Sequence, residues 1–483
     1  MPLPTIPSGN VASALGGGYE VANSCRFNDG SSDNLTKSFS SPTTANKFTL
    51  SFWIKRSSLQ LGSNTQSILN TDSGNLEEMI RFEENDRLHI FTQNSAGAQT
   101  SSVKPSYMFR DVSAWYHICI AIDTTQGTDT NRYKFFVNGT RLTDFETTSY
   151  ISQNYTLRLN TAVTHEFGVR KSGAYLDGYI AELVYIDGQQ LDADQFGEFD
   201  EDTPTVWKPI DVSGLTFGNN GFYLDFEDSS ALGNDVSGNN NDFSANNLTA
   251  LDQATDTCTN NFATFNALNI PSSTTLSEGN LKGVTGGSQR DTLFSTIGVA
   301  NGRWYAEFKL EAGEGNNVRM DVGINGDPAE IVRTVVPIGD GSTGFAFDGE
   351  SAVKVTNGSN SGSFGSALSI GDIVMIAVDL DNLKIYFGKN GSWFESGDPT
   401  SGSTGTGSAF NLTAPSSTPS GFYFIGVADH SAGFHQTFNG NFGGCSAFSI
   451  SSGNADANGY GNFEYAVPNS YYSLCTKNLA EFG

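Results

Sequence analysis

Hydrolysis of a glycosidic bond needs two carboxyl groups in one cleft, one to protonate the leaving oxygen and one to act as nucleophile or base. The nearest approach in this sequence is Glu198-Phe199-Asp200-Glu201-Asp202, which has no apolar strand around it and no third carboxylate in phase, so it reads as a solvated acidic linker. Hard cations ask for several oxygen ligands from a turn-rich loop. Asp225, Asp228, Asp235, Asn239 and Asp242 supply such oxygens within a short span, though not at EF-hand spacing. A structural calcium ion is therefore the candidate cofactor, set against an Asx-turn loop whose side chains cap their own backbone. Tyr150, Tyr155 and Tyr175 offer faces on which a sugar ring could stack, or are half-buried rim positions. Arg333, in the stretch from Ala329 to Asp340, could pair with a carboxylate there. No Gly-x-Ser-x-Gly elbow and no HExxH occurs, so serine-hydrolase and zincin chemistry have no support. His430 and His435 lie five apart in a Gly-containing loop, a spacing that suits neither a helix face nor same-side strand positions and argues against a metal pair. His117 lies in an apolar strand pattern and reads as a core histidine.

Strands must position these residues. Two stretches read as the same kind of hairpin: Trp115 to Asp123 with Tyr133 to Gly139, and Gly371 to Asp379 with Leu383 to Gly391. Each ends in Asn-Gly, which accepts the positive φ of a tight turn. The chain has 483 residues, 37% apolar and 12% aromatic, ample for real cores, and 54 glycines among abundant Ser, Thr and Asn. With little 3.6-residue periodicity, this is the all-β signature. Only Gln189 to Phe199 looks like a short helix. The fold class expected is all-β, two tandem antiparallel jelly-roll-like β-sandwiches.

Five divisions are expected: an N-terminal arm over 1–24, a first sandwich over 25–200, a connector over 201–275 packed on it, a second sandwich over 276–448, and a tail over 449–483. The arm carries prolines and Gly16-Gly17-Gly18 with no apolar period, so it stays flexible or docks on a neighbour. The tail holds Tyr471, Tyr472 and Leu474, enough to pack back on something. The 26 basic against 52 acidic residues give a net charge of −26, which repels phosphate backbones and excludes a nucleic-acid role. No stretch is long and apolar enough for a bilayer span, and the N-terminus lacks a signal peptide's regions, so synthesis in a cytosol without membrane insertion is expected. Cys25, Cys119, Cys258, Cys445 and Cys475 are odd in number and unclustered, the pattern of buried thiols rather than of disulfides or zinc.

Phe52-Trp53-Ile54, Trp115-Tyr116-His117, Phe136-Val137-Asn138-Gly139 and Leu176 to Leu183 make the first sandwich resemble the laminin-G or concanavalin A-like lectin/glucanase superfamily. The second resembles the SPRY (B30.2) sandwich through Gly302 to Phe308, Asp321-Val322-Gly323-Ile324, Gly371-Asp372-Ile373, Asp379-Leu380-Asp381, Lys389-Asn390-Gly391 and Phe438 to Gly443. In combination with Arg26-Phe27-Asn28-Asp29 and Leu474 to Glu481, the chain resembles virion proteins of tailed bacteriophages, particularly of marine bacteria. The resemblance implies a homo-oligomeric tail or head fibre that docks on other virion proteins through its arm and attaches to a bacterial surface glycan. The alternative is a capsid or tail decoration protein with no ligand. Sandwich glucanases carry Glu-x-Asp-x-x-Glu on one strand, a pattern missing here, so no enzymatic activity is expected.

Overall fold

The computed structural model describes residues 18–59, 65–73, 76–171, 173–287 and 289–483. The expected arm thus lies mostly outside the described residues. The chain is nearly all β and divides into two units, Met1–Thr259 and Asn260–Gly483. Each is an antiparallel sandwich.

In the first unit, alternation along the strand Lys47–Arg56 sends Phe48, Leu50, Phe52 and Ile54 into the sandwich core. The strand pairs with Trp115–Asp123 on one side and Gly178–Asp187 on the other. Ser24–Phe27, Tyr133–Val137, Phe222–Leu224 and short edge strands complete an eight-stranded sheet. Facing it, a second sheet runs in the order Phe145–Ser149, Gln99–Pro105, Arg87–Gln93, Leu76–Glu83, Gln66–Ser73, Thr164–Phe167, Asn34–Ser38 and Ser244–Asn246. Ile80, Phe82, Leu88, Ile90 and Val103 meet the first sheet's apolar residues between the layers.

The strand Trp115–Asp123 is buried on both faces, because later residues cover the outside of the first sheet. His117 is held there: Trp207 Nε1 donates to its Nδ1 at 3.1 Å, which leaves Nε2–H to donate to Ser51 Oγ at 2.8 Å. Burial pushes this imidazole down to about 3, so it stays neutral. Lys55 and Asp256 form a buried pair at 2.7 Å, and Trp115 Nε1 donates to the same carboxylate. Residues 201–259 of the expected connector thus belong to the first unit. Residues 18–24 pack there too, with Val21 N donating to Thr259 Oγ1 and Ser24 opening a strand.

In the second unit, Arg303–Gly313 pairs with Ile373–Asp379 and Gln436–Asn441 at the centre of a nine-stranded sheet. The facing sheet runs Thr292–Val299, Tyr423–Asp429, Met320–Asn325, Gly344–Asp348, Val353–Thr356 and Ser359–Ser363. The tail covers the outside of the larger sheet. Phe463 and Tyr471 pack on Tyr305, Met375 and Tyr386, while the buried Glu307 accepts from Glu464 N at 2.9 Å and Tyr465 N at 2.8 Å.

Both Asn-Gly turns have positive φ at each residue: 46° and 73° at Asn138-Gly139, 49° and 84° at Asn390-Gly391. The asparagine does the same work in each, its Oδ1 accepting from His117 N in one unit and from Ile373 N in the other.

Helix positions differ from the sequence expectation. Gln189 to Phe199 holds a single 3-10 turn, Ala193–Gln195, then the strand Gly197–Phe199, which pairs with Trp207–Pro209. Packing against Trp207 overrides the local helical pattern there. The stretch from Ala329 to Asp340 opens within an α-helix, Pro328–Thr334. Asp327 caps it by accepting from Glu330 N, and proline occupies its first turn. A second α-helix spans Thr476–Phe482. No helix among the described residues is long and apolar enough to cross a membrane. The five cysteines are buried thiols.

Candidate functional site

In the first unit one of the two eight-stranded sheets, the one containing Trp115–Asp123, is covered on its outer face, so the outer face of the second sheet is where polar side chains gather half-exposed. Strand alternation places Arg81 and Glu83 outward on Leu76–Glu83, alternating with the core residues Ile80 and Phe82. Arg81 pairs in register with His89, and Lys104 with Thr147. Glu83 is the hub: Arg81 donates to Oε1 at 2.8 Å, Lys104 Nζ lies 2.8 Å from Oε2, and His89 Nδ1 lies 2.9 Å from the same oxygen. Burial alone would raise the Glu83 carboxyl. The contacts of His89 and Lys104, with the charge of Arg81, outweigh it and hold the group well below the usual carboxylate range.

The surrounding residues fix this geometry. Phe91 carries the Arg81 guanidinium 4.6 Å above its ring and stacks on His89 at 5.2 Å. His89 Nε2 meets Ser102 Oγ at 2.9 Å, and Arg87 pairs with Glu146 at 3.0 Å. Farther along the strand, the buried Glu77 is paired by Arg170 and Lys171. Cations cluster here in a chain that is strongly acidic overall. A forked guanidinium, an ammonium, an imidazole and hydroxyls on one sheet face suit hydroxyl and carboxylate recognition.

A glycosidic general acid needs a raised pKa, and Glu83 is pushed the other way. The raised carboxyls of this unit sit in the interior. Glu78 is pushed up to about 7 by burial, although Leu159 N donates to it at 2.9 Å. Glu182 is likewise pushed up to about 7 by burial at a bulge where its φ is 50°. It accepts from Tyr223 OH at 2.8 Å and Tyr19 OH at 3.3 Å.

The candidates named from sequence are dispersed. Tyr150 and Tyr155 are half-buried against the sandwich core, Tyr150 stacking on Tyr133 at 6.3 Å. Tyr175 is half-buried in the loop before Gly178–Asp187. Arg333 is exposed and clasps Glu330 of its own helix with both nitrogens. In the acidic loop, Asp235 accepts from Tyr223 N and Ser237 N on one oxygen and from Ser237 Oγ and Asn241 N on the other. Asp242 accepts from Asp235 N, Asp228 from Ser230, and Asp225 from Glu227 N, while Asn239 donates to the carbonyls of Gly218 and Gly221. These side chains brace the loop's own backbone.

Among the described residues, the His, Cys, Asp and Glu side chains with metal-ligand geometry are in the second unit: Asp321, Asp348 and His430. The sequence spacing of His430 and His435 argued against a metal pair, and the two do not meet in the structure. His435 turns instead to the Thr285 carbonyl at 2.8 Å. The partners of His430 come from strands about a hundred residues earlier, beyond the reach of any spacing argument.

The Glu83 cluster was likewise missed, because its members come from three strands and only strand register brings them together. The outward parity of Arg81 and Glu83 was the available signal.

Comparisons with known proteins bear on these sites. No curated protein matches the chain in sequence. Among solved structures, the SPRY domain of human HERC1 is similar at 16% identity over 38% of this chain and 99% of that one, with a TM-score of 0.29. A candidate carbohydrate-binding protein from Bacteroides ovatus is similar at 14% identity over 47% and 59%, with a TM-score of 0.31. A heptameric SAP-like pentraxin from Limulus polyphemus is similar at 17% identity over 34% and 73%, with a TM-score of 0.24. Residues 29–195, which include every member of the Glu83 cluster, match a family model described as the Concanavalin A-like lectin/glucanases superfamily.

Proposed function

We propose that the chain is a non-enzymatic binding module that takes a surface glycan on the outer face of the second sheet of its first sandwich. The observation that carries this reading is the Glu83 cluster. Arg81, His89 and Lys104 converge on one carboxylate, on a face within the stretch that matches a lectin and glucanase model. The Arg81 guanidinium and the Lys104 ammonium on one carboxylate, with the His89 imidazole beside them, leave donors for a second anion, so sugars bearing a carboxylate or sulfate are favoured. The low-lying Glu83 carboxyl supports binding rather than hydrolysis.

In this reading the module is a tail or head fibre of a tailed-phage virion. It is a homo-oligomer docked on other virion proteins through its N-terminal arm. This placement rests on the resemblance of the segments around Arg26 and Leu474 to such proteins. The rival reading, a decoration protein without ligand, draws on Tyr107 and Met108, adjacent apolar side chains 38% and 41% exposed, as a contact for neighbouring subunits.

The test is binding of the purified chain to a glycan array and to host cells, beside an R81A/K104A variant and a truncation lacking residues 1–17. Saturable binding to acidic glycans, lost in the double variant and kept in the truncation, is expected. Absence of binding, with the arm needed for incorporation into particles, would favour decoration.

A further inference from the structure

We propose that Asp321, Asp348 and His430 form a binding site for a divalent transition metal, zinc fitting best, at one end of the smaller sheet of the second unit. The argument begins with strand register. Asp321 and Asp348 are direct cross-strand partners, so their side chains leave the same face side by side, an arrangement of like charges that destabilises a sheet unless a cation lies between them. His430 follows the end of Tyr423–Asp429, which pairs with the other side of Met320–Asn325. Its backbone N–H donates to the Arg319 carbonyl, which brings the ring over the two aspartates.

The distances suit a metal. His430 Nδ1 lies 3.0 Å from Asp321 Oδ1 and 3.9 Å from Asp348 Oδ1, and the three ligand atoms lie within 4.8 Å of one another. Ligands about 2.1 Å from a tetrahedral zinc are about 3.4 Å apart, between those two separations. The side chain of Asp321 is only 3% exposed, and among the described residues no hydrogen bond reaches its second oxygen.

The histidine is oriented for the task. Its Nε2 lies 3.0 Å from Glu350 Oε2, and Glu350 is in turn gripped by Arg319. A carboxylate on the far nitrogen is the arrangement that fixes the tautomer of a metal-bound histidine. With Nε2–H given to Glu350, the Nδ1 lone pair faces the Asp321 oxygen, and two lone pairs at 3.0 Å repel unless a proton or a metal lies between them. One imidazole with two carboxylates suits zinc or manganese better than calcium or magnesium, which prefer all-oxygen shells. Three protein ligands leave a fourth position for water or an incoming group.

The experiment is calorimetric titration and thermal melting of the tag-free, metal-stripped full chain with zinc, manganese, calcium and magnesium chlorides, each alone. The expected result is one zinc per chain, with Tm raised by about 5 °C or more when free zinc exceeds its dissociation constant a hundredfold. H430Q and D348N should each abolish stoichiometric binding, and E350Q should weaken it about 10- to 100-fold through the unoriented ring. D321N alters a buried group, so the two more exposed variants carry the test if it fails to fold. Wild-type protein that takes no zinc at millimolar concentration would overturn the proposal. So would zinc binding that H430Q and D348N leave unchanged.

Discussion

The two polar clusters are built from the same residue types in inverted proportion. In the first unit one carboxylate, Glu83, is ringed by Arg81, His89 and Lys104. In the second, one imidazole, His430, is ringed by Asp321, Asp348 and Glu350. Both lie where strands present side chains away from the sandwich core, and in each one sign outnumbers the other: Arg81, Arg87 and Lys104 against Glu83 and Glu146 in the first, Asp321, Asp348 and Glu350 against Arg319 in the second. The sign of the imbalance decides what each can take. An excess of cationic donors receives an anionic group, and an excess of carboxylates receives a cation. The contrast also shows why the chain's overall acidity says little about either site: net charge governs solubility and long-range repulsion, while a ligand meets the local set.

The largest effects should come from removing ligands at the histidine-centred cluster. H430Q is expected to lower zinc affinity by a factor of about 100 or more while leaving glycan binding as in the wild type, because the two clusters share no residue. The reverse variant, R81A/K104A, should lower acidic-glycan binding about tenfold or more and leave zinc binding intact. Titrating both variants with both ligands checks the pair. If either variant disturbed both ligands equally, the clusters could not be independent.

A third effect is smaller and belongs to the fold. Glu78 lies in the core of the first unit, facing Tyr155, Arg158, Tyr133 and Tyr185, and burial pushes it up to about 7 from an ordinary value of 4.5. Below about pH 4.5 the carboxyl is protonated in both folded and unfolded chains. As pH rises toward 7 the unfolded chain releases the proton while the folded one keeps it, so stability falls across that window and levels off above it. The whole displacement corresponds to roughly 3 kcal/mol at most. Glu182, similarly raised, adds a slope of the same sign. Thermal melting from pH 5 to 7.5 should show the decline, and E78Q should flatten it. Glycan binding measured over the same range has to be read against this background.

Much of the architecture was legible in the sequence, since strand alternation and Asn-Gly turns are local signals. Phe48, Leu50, Phe52 and Ile54 announce an inward face, and Asn138-Gly139 and Asn390-Gly391 announce the turns that the structure contains. The covering of one sheet in each unit was less legible. Trp207 over His117, and Phe463 over Tyr305, are contacts between residues far apart in the chain, set by which sheet face remains apolar. The sites were least legible. Acidic residues close in sequence, such as Asp235 and Asp242, hold their own loop, whereas Asp321, Asp348 and His430 meet only because three strands align. Closeness in sequence selects side chains that cap local backbone, and chemistry assembled across a sheet has no such signature.

The smallest effect supplies the control that the comparison needs. Arg333 and Glu330 form a one-to-one pair on the surface of the Pro328–Thr334 helix, three residues apart, with both side chains well exposed. Here the charges balance, so no ligand of either sign is called for. Solvent screens the attraction, and ordering two long side chains offsets most of what remains. R333A should therefore leave Tm within about 1 °C of the wild type and change neither zinc nor glycan binding. A clear loss of glycan binding in R333A would instead place recognition on the second unit and remove the reason for assigning it to the Glu83 face. Charge imbalance fixed by strand register, rather than the mere presence of an arginine and a carboxylate, is what separates the two clusters from this pair.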